Sequence, residues 1–148
     1  GGFLGALAVY IFYKDQFDAT DDADGKLGVF CTMPAVRNTW RNFFCEALAT
    51  WLLVFVILVF STKENTPMVG MGSLGAFPVT CLIMAIGMSL GGATGYAINP
   101  ARDLAPRIAH AILPIKGKRD SGWSYSWIPV AGPLAGGALA ALCFVLMY

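Results

Sequence analysis

The sequence predicts an all-α integral-membrane fold. Three observations point there: the composition, the distribution of charge, and one Asn-Pro step inside an uncharged stretch. Of 148 residues, 57% are hydrophobic and only 13% charged, where a soluble domain is nearer half apolar and a quarter charged. The uncharged residues also gather into blocks. Phe43 to Phe60 carries a single charge, Glu46; Met68 to Ile98 carries no Lys, Arg, Asp, Glu or His, and neither does Ser121 to Tyr148. A helix needs about 20 apolar residues to cross the hydrocarbon core, and each block supplies that length.

The elements follow in order. Residues 1–14 read as the end of a helix, because Phe3 to Tyr13 is apolar and rich in small residues. That stretch would rise only about 16 Å, roughly half a bilayer, so the expectation is the tail of a spanning helix that starts upstream. Residues 15–38 read as a polar, solvent-exposed loop, marked by Asp15, Asp18, Asp21, Asp22 and Asp24. A full span is expected at 40–61, with Trp40 and Trp51 among its aromatics. A short connection containing Pro67 leads to a second span at 73–91. Residues 92–125 form a long loop with a half-helix from Pro100, and the last span covers 126–148, entered through Trp123, Tyr125 and Trp127, an interfacial aromatic cluster.

Several classes are disfavoured. A net charge of +1, with the charges in loops, gives no nucleic-acid partner. Cys31, Cys45, Cys81 and Cys143 lack metal-ligand spacing and read as small hydrophobes. No metal or cofactor motif is present. The start of the chain has neither the basic flank nor the cleavage pattern of a signal peptide. The basic run Lys116-Gly117-Lys118-Arg119 and the lone Lys63–Glu64 connection do not orient the spans by charge.

The segment from Gly91 to Arg107 carries the chemistry. Asn99 before Pro100 is a strong helix start, since the amide caps free N–H groups and proline fits the first helical position. Gly91, Gly92 and Gly95 precede it and allow an irregular backbone. Asp103 lies in the first turn, where the helix dipole favours an acid, and stands four residues before Arg107, an ion-pair spacing. The helix from Pro100 to about Leu113 is too short to span. Irregular backbone at membrane depth is tolerated only where it is buried in protein or lines a water-filled cavity. The pattern therefore implies a pore, with carbonyls facing the solute and the helix N-terminus and Arg102 opposing cations.

Asn99-Pro100-Ala101 followed by Arg102 resembles the second signature motif of the aquaporin superfamily, and known pores of that type are an instance of this physics. Asp103 directly after the arginine is similar to the glycerol-conducting branch, as are Arg107 and Pro129-Val130. Glu46, in Glu-Ala-Leu-Ala-Thr, looks like the family's buried glutamate that braces the pore loop. The resemblance covers essentially the whole chain and implies the second half of an aquaporin-like channel, with one re-entrant half-helix. It implies a selectivity filter of Arg102, Tyr96 and Gly87, with Gly95, Ala97 and Ile98 as pore-loop backbone. Glycine at 87, where water channels have His, implies a wider constriction; Tyr96 departs from the commoner Phe and adds a hydroxyl to that wall.

What the resemblance implies for function is a passive channel for glycerol and small polyols, with some water. The channel would sit in the lipid bilayer of a plasma or cytoplasmic membrane as a homotetramer without cofactor. A water-selective aquaporin is the nearest alternative. A secondary transporter also uses half-helices, but the last two spans lack a carboxylate or His for a relay. An enzyme would need a nucleophile with a base or a metal cluster, and His110 has no evident partner. Other readings stay open beside these. Arg102 could snorkel to the interface, Glu46 could lie near a headgroup region, and the glycines around 87–95 could serve helix packing. His110 reads as a loop or helix-end residue, or as a pH sensor.

Overall fold

Caps, prolines and left-handed glycines set the element boundaries. A computed structural model describes all 148 residues. The helices are α1 (Gly2–Phe12), α2 (Lys14–Ala19), α3 (Ala23–Phe30), α4 (Thr39–Phe60), α5 (Phe77–Thr94), α6 (Pro100–Ile112), α7 (Trp123–Ser126) and α8 (Ile128–Met147). A 3-10 turn over Gly70–Leu74 leads into α5. The fold is all-α; the sole β feature is an isolated antiparallel bridge between Thr66 and Val69.

Asn38 starts α4 by accepting the Arg41 amide N–H at 3.1 Å, which satisfies one of the donors that a helix start leaves free. Pro78 sits in the first turn of α5, where a missing N–H costs nothing. The second span starts at Phe77 rather than 73, because Gly70 and Gly75 take left-handed φ of 66° and 58° and interrupt regular helix before it. Thr39–Phe60, Phe77–Thr94 and Trp123–Met147 are long and apolar enough to cross a membrane, and little of each is buried within the chain. That leaves their apolar faces for lipid or for further protein surface.

The closest helix packing is α4 against α8. A Cβ on Gly136 would lie 2.1 Å from the Ala47 carbonyl oxygen, and one on Gly132 would lie 2.8 Å from Glu46 Cβ. These two glycines, one turn apart, let the backbones approach as small residues do between membrane helices. Gly137, the next residue of α8, meets only Val54 Cγ2 at 4.0 Å. The second centre joins α1 to α6 through Ala6, Tyr10, Phe17, Phe30, Ala109 and Ile115. Tyr10 donates its hydroxyl to the Pro114 carbonyl at 3.1 Å.

Residues 15–38 correct the sequence expectation of a polar loop. They contain most of α2 and all of α3. Asp22 caps α3, its Oδ1 accepting the amides of Asp24 and Gly25 at 3.0 Å each, so part of the acidic run serves helix starts. Phe17, Leu27 and Phe30 are buried beneath it. Lys26 is also buried and donates to the Lys116 carbonyl at 2.6 Å, and Arg119 pairs with Asp24. The segment packs as a lid of short helices against the 113–122 connection.

Candidate pore loop and filter

Helix α6 begins as its sequence dictates. Asn99 Oδ1 accepts the amides of Ala101 at 2.9 Å and Arg102 at 3.4 Å, with Pro100 in the first position. Thirteen residues rise about 20 Å, short of the roughly 30 Å hydrocarbon core. The far end is capped by a lysine: Lys118 Nζ donates to the carbonyls of His110 at 2.7 Å, Ala111 at 2.9 Å and Leu113 at 2.7 Å. Those are carbonyls that a helix end leaves unpaired.

The stretch from Gly95 to Ile98 is where the backbone departs from regular structure. Gly95 ends α5 at φ 76°, its N–H bonded to Gly91 O at 2.9 Å. Tyr96 and Ile98 also have positive φ, 39° and 44°, a region that costs a side-chain-bearing residue energy, above all a β-branched one. Between and beside them, the amides of Ala97 and Ile98 point into the protein. Ala97 N–H donates to Glu46 Oε1 at 3.0 Å, and Ile98 N–H to Glu46 Oε2 at 2.8 Å. The Thr94 hydroxyl donates to Oε1 at 2.6 Å. Glu46 is fully buried, so its carboxylate is compensated by three donors, and two buried amides gain an acceptor. The carbonyl oxygens of 95–98 accept no hydrogen bond from the chain.

The side chains after Asn99 divide into exposed and buried sets. Arg102 is exposed, with one long contact from Nη1 to the Phe30 carbonyl at 3.5 Å. Asn99 and Ala101 are exposed too. Asp103 and Arg107 are completely buried. Arg107 Nε donates to Asp103 Oδ1 at 2.8 Å and Nη2 to Oδ2 at 3.0 Å. The remaining donors of the guanidinium reach the Thr32 carbonyl at 2.8 Å, Ser121 at 2.7 Å and Gly122 at 3.2 Å. Asp103 Oδ2 in turn accepts the Thr32 amide and hydroxyl at 2.7 Å each. A buried pair is tolerable only when its remaining donors and acceptors are met, and here they are. The pair binds the segments before α4 and before α7 to the first turns of α6.

Tyr96 lies along α5. An ideal Cβ on Gly87 would be 3.0 Å from its Cζ, and one on Gly91 2.7 Å from its Cδ1. Gly87 and Tyr96 share the wall of an open groove with Thr80, Ile83, Met84 and Met88. His110 falls in the last turn of α6, fully buried, with Nδ1 2.8 Å from Ser121 Oγ and the ring against Phe30. In the exposed connection before α7, the Gly122 amide and Arg119 hold the Asp120 carboxyl below the usual carboxylate range. No cluster of His, Cys, Asp or Glu has the geometry of a metal site.

The residues singled out in the sequence thus fall in two neighbouring groups, the 95–98 stretch with Glu46, Gly87 and Tyr96, and the α6 start with Asn99 to Asp103. Thr94, Thr32 and Ser121, which complete the polar contacts, were not anticipated. A threonine at a glycine-rich helix end is a weak hint for Thr94, and nothing in the sequence marks the other two.

Residues 1–144 match the family described as Major intrinsic protein. The chain belongs to that family. As a family member with three apolar helices of spanning length, it is an integral membrane protein. It is 52% identical over 144 residues to glycerol uptake facilitator protein 3 of Lactiplantibacillus plantarum, and 50% identical over 141 residues to a probable glycerol uptake facilitator protein of Thermotoga maritima. These alignments cover 97% and 95% of the chain but 58% of each relative. The X-ray structure of the aquaglyceroporin from Plasmodium falciparum superposes with a TM-score of 0.77 at 27% identity, over 94% of the chain and 56% of that structure. The chain therefore spans little more than half the length of the major intrinsic proteins it matches.

Proposed function

We propose that this chain is the second half of a passive membrane channel for glycerol and other small neutral solutes, with some water passing as well. One observation carries the reading: the carbonyls of 95–98 are free of internal hydrogen bonds while the neighbouring amides are held by Glu46. A row of free acceptors leading to a helix N-terminus suits a solute that must shed its hydration shell and be offered replacement partners. The names of the relatives, glycerol uptake facilitators and an aquaglyceroporin, support glycerol as that solute.

In this reading Asn99-Pro100-Ala101 opens the re-entrant half-helix, and Arg102, Tyr96 and Gly87 form the chain's share of the filter. Gly95, Ala97 and Ile98 contribute backbone carbonyls, Glu46 braces the loop, and Asp103 belongs to the glycerol-type pattern. The resemblance supports a homotetramer with one pore per subunit. Passive transport predicts that labelled glycerol inside proteoliposomes of the full-length protein rises to the external concentration and stops, with or without an ion gradient. Accumulation above that level, driven by a gradient, would establish a transporter instead.

A further inference from the structure

We propose that Gly91 sets the aperture of the filter by holding the Tyr96 ring back against α5. The inference rests on the reading of Tyr96 as a filter residue, and it gives a positioning role to a glycine whose sequence context suggests helix packing.

Gly87 and Gly91 stand one helical turn apart under a single aromatic ring. An added Cβ on Gly91 would lie 2.7 Å from Tyr96 Cδ1 and 3.1 Å from Cε1; on Gly87 it would lie 3.0 Å from Cζ and 3.2 Å from the hydroxyl oxygen. The ring therefore runs lengthwise along the helix, its root over Gly91 and its tip over Gly87. A methyl group at 87 meets the far end of the side chain. A methyl group at 91 meets the carbon beside the root, where little rotation is available to relieve it.

The backbone has no room to withdraw either. The Gly95 amide is bonded to Gly91 O, and the amides of Ala97 and Ile98 are bonded to Glu46. Relief has to come from the ring swinging off α5, over the groove lined by Ile83, Met84 and Met88. Restoring ordinary carbon–carbon separation takes a displacement of about 1 Å. In a constriction one solute wide, such a shift excludes glycerol before it excludes water. Gly92, the next residue of the same helix, has nothing within 4 Å of its Cβ position. The two glycines share the helix-propensity effect of substitution by alanine and differ in whether Tyr96 lies above them.

The test is a double-mutant cycle on the full-length protein in liposomes, reading the ratio of glycerol to water permeability by stopped-flow light scattering. Gly91→Ala should lower that ratio by about tenfold, the discrimination that one methylene gives in a fitted apolar site, while Gly92→Ala leaves it unchanged. On a Tyr96→Ala background, Gly91→Ala should have no effect, because no ring remains to be displaced. Equal ratios for Gly91→Ala and Gly92→Ala, or the same loss on both backgrounds, would overturn the inference. An unsubstituted protein that excludes glycerol would instead overturn the channel reading on which it rests. The Tyr96→Ala background also covers a Gly91→Ala variant that fails to fold, since the double variant should then recover folding.

Discussion

Ile98 donates its amide N–H to Glu46 Oε2 at 2.8 Å while its own φ is 44°. A β-branched residue held in the left-handed region carries strain of about 1–3 kcal/mol, and a buried carboxylate is costly unless hydrogen-bonded. Each offsets the other's cost: the strained turn aims two amides at Glu46, and Glu46 holds the turn. The consequence is a row of carbonyls with no partner in the chain.

Replacing Glu46 separates these effects. Glu46→Gln keeps one acceptor oxygen for Ala97 or Ile98 and should retain much of the glycerol flux. Glu46→Ala leaves two amides and the Thr94 hydroxyl unpaired, at about 1–3 kcal/mol for each buried donor. It should lower the unfolding midpoint in detergent and abolish flux. An alanine variant with unaltered flux and stability would exclude the bracing role.

The buried Asp103–Arg107 pair should behave as a structural unit. Asp103→Ala removes the partner of a fully buried guanidinium and should destabilise by about 3–5 kcal/mol. Arg107→Lys should also be damaging, because a point charge lacks the fork that reaches Asp103, Thr32, Ser121 and Gly122 together. Thermal unfolding of the purified variants checks both, and a lysine variant as stable as the unsubstituted protein would contradict this account.

Both sites were partly legible in the sequence. Asn99-Pro100 marked the start of α6 because a cap and a proline are local signals, and the long uncharged blocks marked the spans because lipid demands length and apolarity. The aspartates of 15–38 are exposed, as the sequence predicts, but they hid the helices there: Asp22 is also a cap, and Phe17, Leu27 and Phe30 supply a buried face. Thr32 and Ser121 were invisible because they meet Arg107 through backbone carbonyls, which every residue possesses, and because their hydroxyls reach Asp103 and His110 across sequence separations that carry no pattern. The seat of Tyr96 on Gly87 and Gly91 depends on a positive φ at Tyr96, which sequence spacing does not encode.

The α4–α8 crossing predicts a sharp contrast between two neighbouring glycines. A Cβ on Gly136 would lie 2.1 Å from the Ala47 carbonyl oxygen, whereas on Gly137 the nearest atom is 4.0 Å away. Gly136→Ala forces the helices apart and should cost about 1–3 kcal/mol or more, the scale of overpacking. Gly137→Ala should be tolerated. Comparable unfolding midpoints for the two variants would show that the crossing is not as tight as described.

Arg102 has a largely free guanidinium beside the helix N-terminus, and both repel cations. Arg102→Ala should keep the pore wide enough for glycerol and raise proton and sodium leakage, measured with a pH-sensitive dye and with sodium flux in proteoliposomes. Unchanged leakage would assign the barrier to the helix end alone.

The central claim is that glycerol passes through the membrane along the 95–98 carbonyls. Its most direct test is the rate at which liposomes, shrunk by an external glycerol gradient, swell again as glycerol enters, followed by stopped-flow light scattering. Liposomes containing the full-length protein should reswell far faster than empty ones with no ion gradient present, and the Glu46→Ala protein should give the rate of empty liposomes. Fast water efflux followed by no glycerol-dependent reswelling would contradict the account.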